Sequence, residues 1–290
     1  MSQSESILDA LLFGQNVKAK AVRNEGARYF GEATGINWCE RDYQVTPYMA
    51  EFWNTTTNVL YIYAGLKSLG EARRLELPSR FYWFALFIFL TGVCSAFFHA
   101  TLWLLGQRLD EMFENAALIA MYHSVASGNI QSSDTIIALH LLISAVGIVC
   151  ITAFLFCEVH LIGMAILSGR QIYLETKENK ELEFHFRVRR AILLTAIGGI
   201  CWLIDRLCCD QLQAINIPIF GHPQLHAFWH VFTGIALWEM FCITAALHLS
   251  RDAAANRKNG PILLPLTQPG AFVSWYSMSS LGANARVKYA

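Results

Sequence analysis

Charge is what this sequence has little of. Only 15% of its 290 residues are Asp, Glu, Lys or Arg, where soluble domains carry nearer about 25%. Net charge is absent as well, because 22 basic residues balance 22 acidic ones. No basic footprint therefore points to nucleic acid, and none is expected as a partner. No signal peptide is visible, since residues 1–30 are polar and hold no apolar core. The eight cysteines form no CxxC pair and no zinc-finger spacing. There is no internal repeat and no low-complexity tract. What the chain does have is apolar residues, at 54%, gathered into runs near the length that crosses a hydrocarbon core of roughly 30 Å.

These runs predict spans at about 54–70, 81–104, 111–128, 134–154, 158–174, 188–208 and 227–249. The fourth and fifth are hard to part, because 134–168 is almost continuously apolar, so six spans is the fallback. Every spanning backbone group must bond internally, which favours helices. The expected fold is an all-α, seven-helix transmembrane domain over residues 54–249. Residues 1–53 form an extramembrane segment before it. Residues 250–290, with Pro261, Pro265 and Pro269, form a tail too irregular to span.

Basic residues near helix ends predict orientation. Arg73, Arg74 and Arg80 follow the first span; Lys177, Lys180, Arg187, Arg189 and Arg190 follow the fifth; Arg251, Arg257 and Lys258 open the tail. The other side carries only Arg41, Arg108 and Arg206 close to the membrane. The C-terminus is expected in the cytosol and the N-terminus in the lumen or outside the cell. That orientation brings His99 at the end of span 2, Asp110 at the start of span 3, and His226 and His230 at the start of span 7 to one depth.

His226 and His230 are four apart on one helical face. Two imidazoles so spaced can share one zinc ion, and His99 supplies a third ligand, leaving a position open for water. An open position implies catalysis. Asp110 is placed to take a proton, and Ser95, one turn before His99, to bond a developing oxyanion. His123, His140, His160, His185, His222 and His248 have no comparable company in the sequence and read as structural.

Ahead of span 1, Asn37, Glu40, Asp42 and Glu51 crowd oxygen atoms into 15 residues of "NWCERDYQVTPYMAEFWNT". Such oxygens suit calcium, although the spacing is not that of an EF-hand. A solvated acidic turn is the plainer alternative, with Trp38, Phe52 and Trp53 as interfacial anchors. The "NTT" at 54–56 fits a glycosylation sequon but abuts the membrane. Cys39, Cys208 and Cys209 all fall on the lumenal side, where one bridge could pin the acidic loop to the bundle.

Taken together, "NWCERDYxxTPYMAEFWNT", "SxxFHATL…QxLDE", "WLIDRLCC" and "HAFWHVFTG" resemble the successive signatures of the alkaline ceramidase family, over about residues 35–250. The wider superfamily includes the progestin and adipoQ receptors. The resemblance implies a seven-helix membrane amidase that hydrolyses ceramide to a sphingoid base such as sphingosine and a free fatty acid. It implies zinc on His99, His226 and His230, with Ser95 and Asp110 as catalytic residues. It implies calcium in loop 37–51 on Asn37, the Trp38 carbonyl, Glu40, Asp42 and Glu51, and a disulfide between Cys39 and Cys209. Here Asn37 and Asp42 exchange the family's usual Asp and Asn, which keeps the number of carboxylates. The expected partner is the membrane lipid ceramide, with no obligate protein partner evident. The expected location is the endoplasmic reticulum membrane, the Golgi membrane or both.

Two rival readings follow from the same residues. A receptor of the adipoQ type would keep the zinc site but face the other way, against the Arg/Lys bias. A haem electron carrier using histidine pairs would leave Asp110 and the acidic loop without a role.

Overall fold

The computed structural model describes residue 34 and residues 36–126, 137–144, 154–177 and 182–255. Among them, regular structure is helical, with isolated bridge pairing such as that between Ile217 and Gly221. The helices are α1 (Phe52–Thr57), α2 (Val59–Arg74), α3 (Ser79–Thr101), α4 (Leu104–Ala126), α5 (Phe154–Thr176), α6 (Leu182–Leu207), α7 (Cys209–Gln213) and α8 (Leu225–Ala255). Residues 137–144 are helical too.

The first expected span is split, because α1 and α2 part at Asn58. The Asn58 side-chain amide donates to the Asn54 carbonyl at 2.8 Å, bonding locally instead of continuing the ladder. The second, third, fifth, sixth and seventh expected spans coincide with α3, α4, α5, α6 and α8. The fourth falls mostly outside the described residues, as do most of the 1–53 segment and of the tail. Among the described residues, α3 and the stretch Leu225–Arg251 of α8 are long and apolar enough to cross a membrane. Three of the others fall short for identifiable reasons. Helix α2 has only 16 residues. Helix α4 carries Arg108, Asp110, Glu111 and Glu114, and α6 carries Arg187, Arg189, Arg190, Asp205 and Arg206. Helix α4 also begins at Leu104, so Asp110 lies inside the helix, about two turns from its N-terminal end.

The principal core joins α2, α3, α4 and α8 through Tyr61, Phe81, Phe84, Ile88, Met121, Trp238 and Phe241. Two glycines let α2 and α3 approach closely. A Cβ on Gly65 would stand 2.4 Å from the Phe89 nitrogen, and one on Gly92 would stand 2.7 Å from the Ile62 nitrogen. Small residues at helix crossings are how apolar helices gain packing where solvent cannot drive it.

Helix α3 ends at Leu102, whose φ of 54° turns the chain out of the helix. The carbonyls of the last turn of a helix have no partner within it. Here the preceding loop supplies them: Glu51 N–H donates to His99 O, Ala50 N–H to Ala100 O and Thr34 N–H to Leu102 O, each at 3.0 Å. The acidic loop is thereby docked on the end of α3 that carries His99.

Candidate metal centre

His99 sits near the C-terminal end of α3, and His226 and His230 lie one turn apart near the N-terminal end of α8. All three are buried. Each offers a ligand atom, and these atoms lie within 4.8 Å of one another. His99 Nε2 and His226 Nε2 are 3.3 Å apart. Two nitrogens on a tetrahedral ion with bonds of about 2.0–2.1 Å stand about 3.3–3.4 Å apart, so this pair already has the separation that such an ion requires. The donor set, three buried imidazoles, fits a metal ion.

The outer nitrogens are held from outside the trio. His99 Nδ1 is 2.5 Å from Glu51 Oε2, and Glu51 is fully buried. A carboxylate can only accept, so Nδ1 carries the proton and Nε2 keeps its lone pair for a metal. His230 Nδ1 is 3.1 Å from Thr57 Oγ1 and 3.4 Å from Asn58 Nδ2. The Trp38 ring stacks on His226 with centroids 3.7 Å apart and an angle of 18°.

The acidic loop packs against this centre. Asn37, Trp38, Glu40 and Glu51 are buried, and Asp42 is half-buried. Glu40 accepts from the Trp53 and Asn54 N–H groups at 2.7 and 2.8 Å, which satisfies donors that the start of α1 leaves open. Glu51 accepts from Trp38 N–H at 3.3 Å and Asn54 Nδ2 at 3.1 Å, besides His99. Burial, and then the neighbouring Glu51 charge, push the Glu40 carboxyl up to about 8. A cation beside two such carboxylates would offset that cost.

Ser95 is buried one turn before His99 on α3, and Asp110 is nearly buried on α4. Tyr61 on α2 lies edge-on to His230, with centroids 6.2 Å apart. Cys39 and Cys209 are joined by a disulfide, with Cα atoms 5.2 Å apart, while Cys208 is a free thiol. Asn54 of the "NTT" sequon is buried.

Sequence reasoning did not foresee Glu51 as the partner of His99, nor Thr57 and Asn58 as partners of His230. The repeated Thr and Asn of "NTTTN" were the available signal. It also left three other histidines as isolated structural residues, and the structure groups them. His123 Nε2 is 3.4 Å from His140 Nδ1, the His140 and His160 rings are 6.0 Å apart, and His160 Nδ1 donates to Asn115 Oδ1 at 2.6 Å. They stand in a row from α4 through 137–144 to α5, with His140 in the middle.

Comparisons with known proteins point one way. Residues 31–263 match the sequence profile of the family described as Ceramidase. The alkaline ceramidase of Drosophila melanogaster is 27% identical over 232 residues, covering 75% of this chain and 78% of that protein. Alkaline ceramidase 3 of Mus musculus is 30% identical over 232 residues, covering 75% of this chain and 84% of that protein. The alkaline ceramidase of Arabidopsis thaliana is 26% identical over 227 residues, covering 77% and 86%.

Proposed function

Because this chain belongs to the ceramidase family, we propose that it is a zinc-dependent intramembrane amidase. It hydrolyses ceramide to a sphingoid base, such as sphingosine, and a free fatty acid. The observation that carries this reading is the buried three-histidine centre, with Glu51 holding the proton of His99 on the far side of the ring.

The membrane setting is supported by the outer faces of the helices. Val59, Tyr63 and Leu66 on α2, Val159, Ile162 and Ile166 on α5, and Ile192, Leu193, Ile200 and Leu203 on α6 are exposed. Apolar surface on this scale marks contact with lipid or a partner. With the Lys/Arg bias, it supports a seven-helix membrane protein, its N-terminus lumenal and its C-terminus cytosolic, and the location we propose is the endoplasmic reticulum or Golgi membrane. Ceramide would then enter from the bilayer with its chains among the helices.

His99, His226 and His230 would hold the zinc ion. When bound, it supplies Lewis acidity that activates water near neutral pH and polarises a carbonyl. Glu51 keeps His99 in the tautomer that presents Nε2. Asp110 takes one proton from the attacking water and returns it to the amide nitrogen as the carbon–nitrogen bond breaks. The Ser95 hydroxyl donates to the oxygen on which negative charge develops. The buried setting keeps bulk water from screening these groups. Asn37, the Trp38 carbonyl, Glu40, Asp42 and Glu51 would bind calcium, whose charge compensates the buried acids and sets the loop that carries Glu51.

The test uses purified full-length protein in detergent. Zinc per chain is measured by mass spectrometry, and fatty-acid release from a defined ceramide by chromatography. About one zinc and steady release are expected in wild type, and neither in His99→Ala. Wild-type release by His99→Ala, or wild type that holds no zinc, overturns the reading. Calcium chelation should slow wild type and leave Glu40→Gln little changed from its already lowered rate. A glycosylation-site scan of the N-terminus checks orientation.

A further inference from the structure

Apart from Cys209 in the disulfide, the motif "WLIDRLCC" enters none of the roles given above, yet its two charged residues are buried at the end of α6. We infer that Asp205 and Arg206 are positioning residues: Asp205 clamps the acidic loop to the helix carrying His226, and Arg206 seats the indole that lies on the His226 ring.

The two oxygens of Asp205 divide their work. Oδ2 accepts from Cys39 N–H at 3.0 Å, and Oδ1 accepts from His226 N–H at 3.2 Å. The first donor belongs to the loop, next to Trp38. The second is at the start of α8, which begins at Leu225, where N–H groups have no intrahelical partner and the helix dipole favours a negative charge. One side chain thus caps α8 from a neighbouring helix while fixing how far the loop stands from it.

Arg206 completes the arrangement. Its guanidinium carbon lies 4.8 Å from the centre of the Trp38 ring, within range of a cation–π contact. Trp202, one turn earlier on α6, meets the same indole at 5.9 Å. Trp38 stacks on His226 at 3.7 Å, and no other contact orients that ring from outside: among the described residues His226 Nδ1 has no hydrogen-bond partner. His99 is oriented by Glu51 and His230 by Thr57 and Asn58. His226 is oriented instead by an aromatic stack above and a capped N–H in its own backbone, and both trace to adjacent residues of α6. The Cys39–Cys209 disulfide fastens the same seam four residues further on.

This inference rests on the histidines binding a metal, but not on ceramide being the substrate. Its test is therefore cobalt(II) binding by the purified full-length, metal-free protein. The visible absorption bands report ligand geometry, and titration against a chromophoric chelator reports affinity. Outer partners of metal-binding histidines are worth about 10–100-fold in affinity. Asp205→Ala should lose affinity in that range and shift the bands, with the metal-free melting temperature close to wild type. Asp205→Asn retains one carbonyl oxygen and should fall between the two. Arg206→Gln should move the bands in the same direction, and Arg206→Lys, which keeps the cation, should recover part of the loss. If Asp205→Ala does not fold, Asp205→Asn decides by the same criteria. Bands and affinity within twofold of wild type in the folded variants, or wild type that takes up no cobalt, overturn the inference. A wild type that binds cobalt with these variant effects but releases no fatty acid from ceramide upholds the clamp and sinks the hydrolase reading alone.

Discussion

Glu51 Oε2 stands 2.5 Å from His99 Nδ1, and the two residues are joined a second time by Glu51 N–H donating to His99 O. The carboxylate that closes the acidic loop is thus also the group that sets the tautomer of one of the three clustered imidazoles. Any change in one is felt by the other without passing through solvent.

Glu51→Gln keeps the size of the side chain and removes its charge. Zinc affinity, measured by chelator competition, should fall about 10–100-fold, with the protein still folded. An unchanged zinc affinity would mean that Glu51 serves the loop alone.

Asp110→Asn and Ser95→Ala should separate chemistry from binding. Loss of a general acid–base is worth about 10²–10⁴ in rate, and loss of one oxyanion donor about 10²–10³. Both variants should show lower kcat for ceramide with KM and zinc content near wild type. A raised KM with unchanged kcat would reassign these residues to substrate binding.

Gly65 and Gly70 occupy the same helix and should answer oppositely to alanine. At Gly65 the new methyl would stand 2.4 Å from the Phe89 nitrogen, whereas at Gly70 it meets nothing within 4 Å. Gly65→Ala should destabilise by about 1–3 kcal/mol through overpacking. Gly70→Ala should be neutral or gain up to about 1 kcal/mol from helix propensity. Thermal unfolding in detergent measures both, and equal melting temperatures would contradict the close α2–α3 crossing.

His222 is buried in the loop before α8, and burial, with Arg41 nearby, lowers its affinity for a proton. The unfolded chain titrates near the ordinary value of about 6.5. Between that value and the lower folded one, the unfolded state binds more protons, so stability is highest above pH 6.5 and falls as pH drops. His222→Gln should flatten that slope by up to about 1.4 kcal/mol per pH unit. Parallel stability curves for wild type and variant between pH 5 and 7 would show that His222 is not the group responsible.

How legible this was depended on whether a residue speaks along the chain or across it. His226 and His230 share a face by spacing alone, and hydropathy with Lys/Arg bias brought His99 to their depth. The partners across helices were illegible. Asp205 reads as one acid in an apolar helix end, and nothing in its neighbours names Cys39 or His226. His123, His140 and His160 lie on separate helices, so their row depends on how three helices are rotated about their axes. The break at Asn58 was hidden because local side-chain bonding competes with a helix only when geometry permits it.

The Cys39–Cys209 bridge spans 170 residues of sequence and so closes the chain into a covalent ring. Helices α1 to α6 lie on that ring, and His99 with them. Helix α8, bearing His226 and His230, hangs outside it as a free arm. The cysteine bridge therefore cannot keep the three imidazoles together. That task falls to noncovalent contacts, to the core that α8 shares with α2, α3 and α4 and to Asp205, which bonds Cys39 on the ring and His226 on the arm.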